Sequence, residues 1–166
     1  MMQNSSYINI SIFGLLLISK LTSSFLNMSP FIATIIIGAY FINNKYHLLI
    51  IIFIAQIISD ISFGMYMSNI FVYISYFCVV MFLYYFKNDF RLINSFLSAL
   101  YLNIIFFCIS NFGHFIFYSE IYSPASLLDT YLMGIPFGKN LLFSTLFFIL
   151  IYHTLLAVSK KQLVKN

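Results

Sequence analysis

IIFIAQIISDISFGMY, residues 51–66, sets one carboxylate, Asp60, inside a run of Ile, Phe and Ala. A stretch this apolar is built to meet hydrocarbon. A bilayer core about 30 Å thick takes roughly 20 such residues in a helix. Extended back to Tyr46 the run reaches that length, which places a membrane-spanning helix at 46–66 and leaves the acid within it to be explained.

The rest of the chain has the same character. Of its 166 residues 62% are hydrophobic and 7% charged, with a mean hydropathy of +0.98. Soluble domains carry about 25% charged residues. Eight basic and four acidic side chains cannot cover the surface of one soluble core of this length. The fold class is therefore an all-α integral membrane protein, and the net charge of +4 is read by position, as orientation in a bilayer. No nucleic-acid partner is expected.

Outward from 46–66, apolar runs at about 31–43 and 7–26 precede it and runs at about 70–86, 92–118 and 137–158 follow, which predicts six spans in one transmembrane domain, 1–166. MMQNSSY at the start has no basic residue and no small-residue cleavage site after it, so the first run is not read as a cleavable signal. Pro30 marks a turn at 27–30. Between the last two spans, SPASLLDTYLMGIP (123–136) has helix punctuation, with Ser123 as N-cap, Pro124 at N1, Gly134 past the end and Pro136 as a stop. Leu127, Leu128, Tyr131 and Leu132 share a face there, which predicts a short amphipathic helix on the outer surface.

Charge orients the bundle. With both termini cytoplasmic, the inner segments hold Lys45, Lys87, Arg91, Lys160, Lys161 and Lys165, six of the eight basic residues, and the outer ones hold Glu120 and Asp129. Lys139 lies near the outer boundary and Lys20 sits inside the first span, against the trend.

Depth can then be assigned to the polar residues. Asp60 lies about 21 Å along its helix from Tyr46 and about 9 Å below the outer end. Gln56, Ser59 and Asp60 share a helix face. So do Asn103, Ser110 and His114, with Asn111 beside them, near the outer end of the fifth span. Lys139 and Asn140 reach a similar level. An ionised Asp facing lipid costs at least about 2.5–3.5 kcal/mol. Asp60 is therefore expected to face the bundle interior, with His114 or Lys139 as partner, in a ligand cavity that opens outward beneath the 27–30 turn and the 119–136 connection. In the competing reading it caps an early helix end before Gly64 and is wet. For His114 the competing reading is a hydrogen-bonded packing residue.

Other chemistry is sparsely signalled. Cys78 and Cys108 lie mid-span without metal or redox spacing, and His47, His114 and His153 fall in three separate regions, so no metal site is expected. There is no glycine-rich phosphate loop, and no cofactor is implied. Ser110 and His114, four apart, are the one pair that would support an intramembrane hydrolase, without a Gly-x-Ser-x-Gly turn. The chain is not expected to be an enzyme.

NMSPFIATIIIGAYF (27–41), SDISFG (59–64), NFGHF (111–115) and YLMGIPFGKNLL (131–142) together resemble a family of small, uncharacterised bacterial six-helix membrane proteins. That family looks like the substrate-binding S components of energy-coupling-factor vitamin transporters. The resemblance covers about residues 27–158. It implies a six-helix bundle of the bacterial cytoplasmic (inner) membrane that binds a vitamin-like solute from outside, either with a shared ATPase module or without a dedicated one. Carried over, it marks Asn27, Asp60, Asn111, Pro136 and Asn140. Combined with the polar layer, the expected ligand-binding residues are Asn27, Gln56, Asp60, Asn111, His114, Lys139 and Asn140. A scaffold or assembly protein whose polar layer only fixes helix packing is the alternative function, and a hydrolase the third.

Overall fold

The computed structural model describes residues 2–21, 29–86 and 91–165. They form α1 (Met2–Leu21), α2 (Phe31–Phe41), α3 (Lys45–Phe63), α4 (Asn69–Tyr85), α5 (Leu92–Tyr118) and α6 (Pro124–Lys165). Asn27 and Met28 of the expected 27–30 turn, Lys87 and the end of the first apolar run lie outside the described residues.

The short α2 is the axis of the bundle. Residues 31–39 are all buried, and α2 touches each of the other five helices. Its sequence, FIATIIIGAYF, is apolar all round, which is what a helix with no solvent-facing side requires. Eleven residues rise only about 16 Å. By length and apolarity, three helices are sufficient to cross a membrane: Lys45–Phe63, Leu92–Tyr118 and Pro124–Val158, while Tyr7–Lys20, Phe31–Phe41 and Asn69–Tyr85 are shorter.

The helix faces away from α2 carry large exposed apolar side chains, among them Ile54, Phe77, Ile104 and Phe147. An apolar exterior of this extent is what lipid contact requires. Between the helices sit small polar residues, with Ser75, Ser95, Ser144 and Thr145 fully buried, so that backbones approach closely. Three bonds tie elements across the core: Thr34 Oγ1 with the Tyr152 hydroxyl at 2.8 Å, Ser95 Oγ with His153 Nε2 at 2.9 Å, and the Tyr84 hydroxyl donating to the Ile42 carbonyl.

Helix ends follow local chemistry. Asn44 Oδ1 accepts from the backbone N–H groups of Tyr46 and His47 and starts α3. Gly64, at φ 111°, ends it three residues before the predicted limit, because its N–H closes on the Asp60 carbonyl and the chain leaves through a conformation open to glycine. α6 begins as predicted, with Ser123 and Ser126 each accepting the other's backbone N–H.

α6 does not stop at Gly134 or Pro136. It continues as one 42-residue helix with Pro136 inside, so the separate short amphipathic helix is replaced by the first turns of α6. Proline forfeits one backbone bond, but packing on α5 holds the helix on both sides of it. Tyr131 donates to the Cys108 carbonyl at 2.7 Å, and Thr145 to Asn103 Oδ1 at 3.4 Å.

Candidate functional site

Asp60 occupies the last turn of α3 with its side chain buried in the bundle, at 6% exposure. Oδ1 accepts from Gln56 Nε2 at 2.6 Å and Oδ2 from the Tyr73 hydroxyl of α4 at 2.7 Å. It is the Asp60 backbone carbonyl that closes the helix end. The carboxylate is thus a buried acceptor between α3 and α4, and it attracts the ammonium of Lys20 at the end of α1.

These partners correct the expectation that His114 or Lys139 would answer Asp60. α3 packs closely on α1, α2 and α4 and not on α5 or α6, which carry His114 and Lys139, and Asp60 takes its bonds from Gln56 and Tyr73 instead. Gln56 is buried one turn before Asp60, and its Oε1 has no hydrogen-bond partner.

A cavity of about 300 Å³ opens where the end of α1, the start of α2 and the middle of α4 face α5 and α6. Aromatic rings form one wall. Tyr76 stands between Phe31, at 4.9 Å between ring centroids, and Phe106, at 5.2 Å. Lys20 Nζ lies 4.6 Å from the Phe31 centroid and 5.2 Å from that of Tyr76, a cation over two π faces. Ser29 fixes the corner by donating to the Ser19 carbonyl and accepting from the Phe31 N–H. Ser110, Asn111 and His114 of α5 supply the polar wall opposite.

A second hollow of about 460 Å³ shares Asn111, His114, Gly134 and Phe137 with the first and is lined further by Glu120, Ser126, Asp129 and Thr130. The two hollows adjoin at those four residues and are termed the chamber, lined by Lys20, and the vestibule, lined by the acids.

Two glycines of α6 make room for the α5 wall. A Cβ on Gly134 would lie 2.3 Å from Asn111 Oδ1, and one on Gly138 would lie 2.8 Å from the Phe107 ring. The backbone of α6 is thus in direct contact with Asn111, whose Nδ2 donates to the Phe107 carbonyl at 2.8 Å.

Of the residues nominated from sequence, Asn111 and His114 line the cavity. His114 is exposed and packs at a tilt against Tyr118, with 4.9 Å between ring centroids. Gln56 and Asp60 do not line the cavity. Lys139 faces another groove, with Leu100, Asn103 and Ile104, on the far side of the α5–α6 contact. Asn140 is half-buried in α6 and does not line the chamber. The Ser110 hydroxyl donates to the carbonyls of Phe106 and Phe107 in its own helix. Among the described residues no cluster of three His, Cys, Asp or Glu side chains is placed to hold a metal.

The sequence reading missed Lys20, Tyr73, Tyr76 and the glycine pair. Lys20 had a signal, as the basic residue that broke the charge trend. The Gly134–Gly138 spacing had one too, since Gly-x-x-x-Gly in an apolar helix marks close helix packing. Tyr73 and Tyr76 had none among 13 tyrosines.

A protein-family model matches residues 2–165, almost the whole chain. The chain belongs to the family of unknown function DUF6580. No curated protein and no solved structure matches it. Membership in DUF6580 agrees with the expectation of an uncharacterised family, and the likeness to S components rests on the quoted sequence pieces alone.

Proposed function

We propose that this DUF6580 chain is a multi-pass protein of the bacterial cytoplasmic membrane, with six spans and both termini inside, that captures a small vitamin-like solute from the outer side for uptake. It carries no chemistry of its own and passes the solute on, with or without an energising transporter module. The observation that carries this reading is the chamber and vestibule, joined through Asn111, His114, Gly134 and Phe137, at the end of the bundle that holds Glu120 and Asp129. That is the acidic end, which the charge distribution sets outside. A pre-formed concave site with an aromatic wall and a few converging polar groups is the usual form of a small-molecule site.

The test is thermal stabilisation of the purified protein across a panel of vitamins and precursors. At least one solute raises the melting temperature of the wild type, and Asn111→Leu, which removes the amide that both hollows share, abolishes that shift. A panel without any stabilising solute contradicts the proposal.

One observation favours the second reading, a scaffold whose polar layer is structural. Both oxygens of Asp60 are satisfied inside the bundle by Gln56 and Tyr73. Under that reading Asp60→Asn lowers stability and partner recovery while no solute binds.

A further inference from the structure

Lys20 is the basic residue that the topology left unexplained. A lysine near a helix end in a membrane protein ordinarily extends along its stem to the nearest interface. Lys20 instead turns inward, with its ammonium over the faces of Phe31 and Tyr76 and in the wall of the chamber. Burying a cation is costly unless an opposite charge offsets it. Asp60 provides that charge, since it attracts Lys20 and is itself not part of the chamber wall. Its oxygens are occupied by Gln56 and Tyr73, so the carboxylate is held back in the α3–α4 contact.

Resting on the solute-binding reading above, we propose that the solute is a small monocarboxylic acid carrying a compact ring, whose carboxylate meets the Lys20 ammonium while its ring lies against Phe31, Tyr76 and Phe106. The chamber volume of about 300 Å³ suits one such ring and is at the small end of ligand sites, which begin at about 300 Å³. An ammonium is a compact point charge with three donors, which pairs with an anionic group such as a carboxylate. Glu120 and Asp129 in the vestibule set the other end of the specificity. They repel a dianion on entry and favour an amine or another hydrogen-bond donor at the outer end of the solute.

The test uses matched probes on the purified full-length protein: 4-aminobenzoate against 4-aminobenzamide, nicotinate against nicotinamide, and 4-aminophenylphosphonate as a dianion. At least one acid stabilises the wild type and its amide does not, while the phosphonate binds more weakly than the carboxylate. Lys20→Met weakens binding of the acid by about tenfold or more, and Lys20→Arg keeps the preference. Because Lys20→Met leaves Asp60 without its counter-charge, Lys20→Met/Asp60→Asn is the variant that separates binding from folding. It folds and shows no preference between acid and amide. Equal binding of acid and amide by the wild type, or full acid binding by the double variant, overturns the assignment. Stabilisation by a neutral or cationic vitamin when every acid fails overturns it and leaves the solute-binding proposal standing. Failure of every solute overturns both.

Discussion

Asp60 is held by one amide and one phenol, and each bond has a separable consequence. Tyr73→Phe removes the donor to Oδ2 and keeps the ring against Phe53, at 5.5 Å. The expected loss is about 1.5 kcal/mol, the net value of a hydrogen bond to a charged group. It is measured by reversible unfolding in detergent, and an unchanged midpoint would show that the bond contributes nothing. Asp60→Ala costs more, about 3 kcal/mol, because it also strips Lys20 of its opposite charge. Adding Lys20→Met to that variant restores part of the loss, which a double-mutant cycle reads as coupling between the two sites. Strict additivity of the two single losses would separate them. That Asp60 mattered was legible, since an acid in an apolar run has few inexpensive places to be. Its partners were not, because they depend on which helices pack against α3, and local pattern carries nothing about that. Depth alone put His114 and Lys139 level with Asp60 but could not reveal that α3 does not pack closely on α5 or α6.

At the scale of elements, close approach between helices rests on glycine. A Cβ on Gly113 would lie 2.3 Å from the Cβ of Phe71, an atom that cannot move without its backbone. Gly113→Ala therefore forces α4 away from α5. The expected cost is about 1–3 kcal/mol, partly recovered by adding Phe71→Gly, which alone removes the blocking Cβ. A wild-type melting temperature in Gly113→Ala would mean that α4 and α5 lie farther apart than described. Gly134→Ala acts differently, since the atom in its way is the end of the Asn111 side chain, which can swing. Its effect falls on solute affinity more than on stability, which the thermal-shift assay separates from the midpoint without solute. Helix existence was legible from apolar run length, and the starts at Asn44 and Ser123 follow from their capping chemistry. The run through Pro136 was not, because Gly134 followed by Pro136 has the local form of a stop. The contacts of Tyr131 and Thr145 with α5, which override it, are tertiary.

The whole molecule is an apolar-coated bundle around a helix too short to span, with its polar chamber at the acidic end. α2 leaves part of the bundle's length unfilled, and the chamber lies at its N-terminal edge, beside Ser29, Phe31 and Ile32. The class of protein was evident from composition. The chamber was not, because it is made by the ends of helices that only the assembled bundle brings together. The orientation proposed here predicts that cysteines placed at Glu120 and Asp129 react in intact cells with an impermeant thiol reagent and that one placed at Lys45 does not, in a background where Cys78 and Cys108 are replaced by serine. The central claim, a solute chamber open to the outside, is tested most directly by Ser110→Cys in the same background, since Ser110 lines the chamber and not the vestibule. The account predicts labelling by a small impermeant reagent added outside, slowed by any solute that stabilises the purified protein. No labelling from outside, or labelling that such a solute leaves unchanged, would contradict it.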